Sequence, residues 1–194
     1  MKNPSQPEGA APHWRPAQRA LHWAVVLMIA LAAPLGWAIV NLQDAEVRSL
    51  SAGGLGVGDL YWWHKSFGFL VLGLMCARLA ARLIWPKPPY AEPLPRASRI
   101  VSHSLHLLFY PLLIVLPLLG WAGVSAYGPD AATVFGLTMP DLLSPDRDLS
   151  KTLLDAHGFI AIGVMGLIAV HIAGAAFHGL IKRDGVFQRM TGGS

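Results

Sequence analysis

The sequence predicts an all-α integral membrane protein: a four-transmembrane-helix bundle with both termini in the cytoplasm. Three observations predict it. The 194 residues are 54% hydrophobic and only 13% charged, with a mean hydropathy of +0.46, whereas a soluble domain carries about 25% charged residues. Four stretches each supply the roughly 20 apolar residues that cross a bilayer core. Finally, Lys and Arg gather on one side of those stretches, which orients the bundle.

Taken in order, residues 1–16 ("MKNPSQPEGAAPHWRP") form a polar, Pro-rich tail expected to be loose. The first span, about 20–40, has no charge. It holds His22 and Pro34 and follows too long a leader for a typical signal sequence, so it reads as a retained span. The second, about 61–85, is interrupted only by Lys65 near its start and by Arg78 and Arg82 near its end. Trp62, Trp63 and Trp85 bracket it as an aromatic belt would. "WPKPPYAEPLP" is a stiff linker. The third span, about 100–126, and the fourth, about 156–181, are uncharged. Pro34, Pro111 and Pro117 are tolerated inside spans but should kink them. The loop "GPDAATVFGLTMPDLLSPDRDLSK" is long enough for a short interfacial helix. Residues 17–183 make one membrane domain, 184–194 a second short tail, and no internal repeat is evident.

Orientation follows from counting Lys and Arg near span ends. Lys2, Arg15, Arg19, Arg78, Arg82, Lys87, Arg96, Arg99, Lys182, Arg183 and Arg189 fall on one side. Arg48, Lys65, Arg147 and Lys151 fall on the other, giving eleven against four. The richer side is cytoplasmic. The single cysteine, Cys76, excludes an intramolecular disulfide and any cysteine-based zinc or iron–sulfur site. The aromatics lie in apolar runs rather than among Lys and Arg, so no nucleic-acid partner is indicated; the lipid bilayer is the evident one.

Histidines inside apolar spans are the chemical signal, because polar groups at membrane depth are costly and default to function. The fourth span carries His157, His171 and His178. His157 and His171 are fourteen residues apart, about 21 Å along a helix and about 40° from the same face. With the topology above, His64 and His157 lie on the outer side and can face each other. On the inner side His22 can face His171 or His178. Depth counting from Arg19 and Lys182 favours His178; face and spacing favour His171, since a His157–His178 pairing would span about 31 Å and put one site among the headgroups. His171 is taken here.

Two histidine pairs at two depths, each drawn from different helices, suit bis-histidine haem ligation, in which neutral imidazoles donate to iron and the macrocycle fills the space between helices. A zinc site would need three or four ligands at one depth. A lone intramembrane histidine is often an interhelical hydrogen-bonder, but four at matching depths argue against that for the set. His103, His106 and His178 have a plainer reading at the membrane interface, beside candidate roles near a propionate or quinone. Arg78 and Arg82, four apart on one face, either snorkel or pair with propionates, whose geometry a guanidinium matches.

These residues resemble the prokaryotic cytochrome b561 family of four-helix, di-haem membrane proteins. The matching pieces are "LHW", "ARLAARLIWPKPP", "SHSLHLLFYPLLIVLPLLG", "FGLTMP" and "VHIAGAAFHGLIKRD", which together cover nearly the whole chain after the tail. "FGLTMP" points to the branch of that family resembling superoxide oxidase, while "WWHKSFG" around His64 departs from it. The histidine pattern alone would also fit the cytochrome b subunits of membrane hydrogenases and formate dehydrogenases.

The resemblance implies two haem b groups in a bacterial inner membrane, the inner held by His22 and His171 and the outer by His64 and His157. It implies electron flow from periplasmic superoxide to ubiquinone, with His178 in the quinone region. The alternatives are an electron-relay subunit serving a periplasmic dehydrogenase or hydrogenase partner, and a non-redox transporter. Superoxide is an anion, yet the outer side carries Asp44, Glu46, Asp59, Asp130, Asp141, Asp146, Asp148 and Asp155 against four cations. Attraction must then be local, and Lys65 beside His64 together with Lys151 before His157 is the expected cationic entrance.

Overall fold

The computed structural model describes residues 14–51, 53–85, 88 and 96–192. The expectations about residues 1–13, His13 among them, and about most of the Pro-rich linker lie outside the described residues. Among the described residues, four helices are long and apolar enough to cross a membrane. They are α1 (Pro16–Asn41), α3 (Val57–Ile84), α4 (Arg96–Tyr127) and α5 (Arg147–Ala176). A short helix, α2 (Asp44–Leu50), sits between α1 and α3, and α6 (Gln188–Thr191) closes the described chain.

Local chemistry explains where these helices start and stop. Pro16 opens α1, where its missing N–H costs nothing. Pro34 lies inside α1, and Pro111 and Pro117 inside α4. The Asp146 carboxylate accepts from the Leu149 N–H at 3.0 Å and starts α5. That start lies nine residues before Ala156, because a hydropathy window ends where charge begins whereas a capped helix runs on into water. At its far end α5 continues as a π-helical turn, Phe177–Lys182, which stops at Arg183 in the left-handed region with φ 51°. The Asp44 carboxylate accepts from the Val57 N–H at 2.9 Å, tying α2 to the first turn of α3.

The loop between α4 and α5 differs from the expectation of a short helix. It folds as a two-stranded antiparallel hairpin, β1 (Thr133–Val134) against β2 (Leu137–Thr138), with Val134 opposite Leu137. Its two-residue turn is Phe135–Gly136, both at positive φ (47° and 78°). That backbone joins a tight hairpin, and glycine adopts it readily. "FGLTMP" is therefore a turn and strand.

The bundle consists of two helical hairpins. α1 packs along α3, α4 along α5, and α3 joins the two through α4. α5 makes little backbone contact with α1 or α3. The core between them is Val25, Val71, Met75, Leu113 and Val164. Outward-facing Leu27, Val40, Leu83, Phe159 and Ile162 are exposed, as befits surfaces that meet lipid. The segment after the π turn folds back on the N-terminal part of α1 and on Pro88: Trp23 Nε1 donates to the Met190 carbonyl at 3.1 Å, and buried Arg189 donates to the Pro88 carbonyl at 2.8 Å.

Candidate functional site

The histidines gather in twos across the space between α5 and the α1/α3 hairpin. His64 on α3 and His157 on α5 have ring centroids 6.0 Å apart, with planes at 86°. His22 on α1 and His171 on α5 have centroids 6.2 Å apart, with planes at 78°. The two pairs share α5 fourteen residues apart, so they sit about 21 Å from each other along the bundle. Among the described residues, no group of three or more His, Cys, Asp or Glu side chains closes on one point.

At the pair near the start of α3, each ring is oriented by a backbone carbonyl. His64 Nδ1 donates to the Ala32 carbonyl at 2.9 Å, and His157 Nδ1 to the Leu116 carbonyl at 2.8 Å. With Nδ1 as the N–H, Nε2 is the free lone pair of a neutral ring. The acceptors belong to α1 and α4, helices that contribute no histidine to this pair.

The other pair lies among cations and aromatics. Arg78 Nη1 donates to His22 Nδ1 at 2.6 Å, and Arg78 also bonds the Tyr110 side chain. His106 and Phe109 meet the His171 ring edge-on at 5.3 Å and 5.6 Å. His106 Nδ1 donates to the Ser102 carbonyl at 2.6 Å. Arg82 lies over the Trp14 ring at 5.7 Å. With His103, His106, Leu107 and Tyr110 it lines a cavity of about 180 Å³ between α3 and α4.

His178 is not part of either pair. It pairs at 2.6 Å with Asp184 beyond the π turn, and both side chains are nearly buried. The two lysines of the expected entrance are engaged separately. Lys65 donates to the Ala131 carbonyl at 2.6 Å, holding the hairpin loop, and Lys151 pairs at 2.5 Å with exposed Asp155. The buried Ser66 hydroxyl accepts from the Phe135 N–H at 3.1 Å, and Phe135 meets Trp62 edge-on at 5.9 Å. "FGLTMP" thus packs on the turn of α3 that carries His64.

Sequence reasoning missed Gly36 and Gly120. A Cβ at Gly36 would lie 2.8 Å from His64 Cε1, and one at Gly120 would lie 3.1 Å from His157 Nδ1. The signal was present as two related stretches, "AAPLGW" (32–37) and "LPLLGW" (116–121). In each, the first residue supplies the carbonyl and the fifth is the glycine.

The family model described as Prokaryotic cytochrome b561 matches residues 13–193. Among curated relatives, the chain is 29% identical to a Yersinia pestis protein named "Probable superoxide oxidase CybB", over 89% of this chain and 92% of the relative. It is 26% identical to "Cytochrome b561 homolog 1" of Escherichia coli (strain K12), over 88% and 92%, and 25% identical to "Cytochrome b562" of Cereibacter sphaeroides, over 92% and 95%. The family binds haem b and carries electrons. The four apolar helices, the paired histidines within them and the family match along nearly the whole chain lead to one conclusion: this chain belongs to the prokaryotic cytochrome b561 family, as a multi-pass electron-transfer protein of the inner membrane.

Proposed function

We propose that this protein holds two haem b groups, one per histidine pair, and passes electrons from periplasmic superoxide to ubiquinone. The observation that carries the reading is the repeated ring spacing of 6.0 and 6.2 Å at two levels of one bundle. Imidazole nitrogens bind a metal ion at about 2.0–2.1 Å, and a five-membered ring with sides of about 1.35 Å has its corners about 1.15 Å from its centre. Two imidazoles holding one ion would then have centroids no more than about 6.5 Å apart, and both pairs meet that limit.

At the His64–His157 pair the residues fit the group fully. Each ring gives its second nitrogen to a carbonyl, the arrangement that fixes the tautomer of a metal-binding histidine. The sparse backbone contact between α5 and the α1/α3 hairpin agrees with helices that pack around an intervening group rather than on each other. At the His22–His171 pair the spacing fits, and Arg78 is the side chain that must turn. A guanidinium only donates, so its bond to His22 Nδ1 leaves the proton of that ring on Nε2. A haem periphery offers carboxylates, which suit Arg78 better than an imidazole does.

The bound groups would supply one-electron chemistry. The chain's own residues orient the rings, exclude water from the space between them and set their separation. The hairpin held by Lys65 covers the His64 end and is the surface where superoxide would arrive. His178 with Asp184, and the cavity at Arg82, His103 and His106, are the candidate ubiquinone region at the opposite end. In this reading both termini are cytoplasmic, residues 17–183 form the haem domain, and 1–16 and 184–194 are its tails. The superoxide assignment draws support from the name of the Yersinia pestis relative and from the anion argument for Lys65, and the ubiquinone assignment rests on the family resemblance alone.

Anaerobic protein should give a reduced-minus-oxidised spectrum with two haem b per chain by pyridine haemochrome, and superoxide should reduce it in stopped flow. Two haems without reduction by superoxide would replace this reading with the relay subunit. No haem at all would overturn the assignment of the two histidine pairs.

A further inference from the structure

We infer that "AAPLGW" on α1 and "LPLLGW" on α4 are two equivalent seats that set the ring orientation and basicity of His64 and His157. The inference rests on the haem reading above and assigns roles within it to residues that ligate nothing.

Each seat has two parts one helical turn apart. The carbonyl of the first residue, Ala32 or Leu116, takes the Nδ1–H of the facing ring at 2.9 or 2.8 Å. The glycine four positions later, Gly36 or Gly120, lies directly against that ring. Residues four apart on a helix stack on one face, so the carbonyl and the glycine surface meet the same imidazole. Each stretch also holds a proline inside its helix, Pro34 or Pro117. The pairing with the donors is reciprocal: α1 seats the ring from α3, and α4 seats the ring from α5. This gives α4 a task at a histidine pair to which it contributes no side chain.

The consequence is chemical. A hydrogen bond from Nδ1 to a carbonyl raises the basicity of Nε2 and favours the higher oxidation state of a bound metal. No such acceptor serves His22, whose Nδ1 faces Arg78 instead. The seats therefore lower the potential of the His64–His157 site.

The two glycines predict graded effects. In Gly36→Ala the new Cβ would stand 2.8 Å from His64 Cε1, closer than real contacts allow, so the ring must move off the Ala32 carbonyl. In Gly120→Ala the nearest ring atom is at 3.1 Å, which a small tilt relieves. Gly163, on α5, has nothing within 4 Å of its Cβ position and serves as the control.

The test uses full-length protein with its native haem complement, titrated potentiometrically and examined by EPR in the oxidised state. His64→Ala identifies the signal of that site. Gly36→Ala should change its EPR g-values and raise its midpoint by the equivalent of about tenfold in the oxidised-to-reduced ratio, 59 mV for one electron. Gly120→Ala should move it in the same direction by less, and Gly163→Ala should match wild type. Selective loss of this haem in Gly36→Ala, with the other retained, also supports the seat. If both haems are lost in Gly36→Ala, the milder Gly120→Ala decides. Wild-type g-values and potential in Gly120→Ala would then overturn the inference, as they would in a haem-replete Gly36→Ala. Wild-type protein lacking two haems would overturn the parent reading instead.

Discussion

Lys65 donates its ammonium to the Ala131 carbonyl at 2.6 Å, so the residue next to His64 holds down the hairpin that covers it. A cation that serves a loop and also faces an incoming anion couples loop order to substrate approach. Hydrogen bonds to charged groups contribute about 1.5–3 kcal/mol, and partial solvent exposure places this one at the low end. Lys65→Met should raise amide exchange across residues 131–138 and slow reduction by superoxide, with haem content unchanged. Added salt, which screens surface charge beyond about 8–10 Å, should slow wild type more than the variant. Equal salt sensitivity in both proteins would remove Lys65 from the approach path.

Haem stoichiometry tests the pairing of the rings. His64→Ala and His157→Ala should each reduce the pyridine haemochrome value from two per chain to one, leaving the same spectrum behind. His22→Ala and His171→Ala should leave the complementary one. His178 stands with Asp184 at 2.6 Å, away from both ring pairs. His178→Ala should therefore retain two haems and slow reoxidation by ubiquinone. Loss of a haem in His178→Ala together with its retention in His171→Ala would reverse the assignment on α5.

The orientation rests on the eleven-to-four distribution of Lys and Arg. In a background where Cys76 is replaced, a cysteine at Thr138 should react with a membrane-impermeant thiol reagent applied from the periplasm. A cysteine at Thr191 should react only after the membrane is opened. Periplasmic labelling at Thr191 would invert the bundle.

Acid should loosen the connection between α2 and α3 before it affects the spans. The Val57 N–H, and then Arg48, hold the Asp44 carboxylate below its ordinary value of 3.8. A depressed folded value means that the stabilisation is complete above the unfolded pKa and lost as pH falls through the folded one. Amide exchange over residues 44–57 should therefore rise as pH drops below about 4. Asp44→Asn should show high exchange already at neutral pH and little further change on acidification.

The chain's own order of residues determined the membrane class, the four spans, the prolines within them and the list of histidines worth attention. All of these are local properties. Apolar length, proline position and the cost of an imidazole in hydrocarbon can be read along one segment at a time. Even the fourteen-residue step from His157 to His171 is a property of a single helix. What surrounds each ring was decided only by tertiary structure. Whether His171 or His178 meets His22 depends on how far α5 slides and turns against α1. Whether Nδ1 meets a carbonyl, as in His64 and His157, or a guanidinium, as in His22, depends on which turn of a neighbouring helix lies opposite. The loop shows the same division. "FGLTMP" was visible, but its hairpin requires two positive φ angles stabilised by contacts with Ser66, Lys65 and Trp62, far away in sequence. Gly36 and Gly120 stood in view within "AAPLGW" and "LPLLGW", but a glycine's missing side chain acquires meaning only when folding brings another residue's ring into the space it leaves.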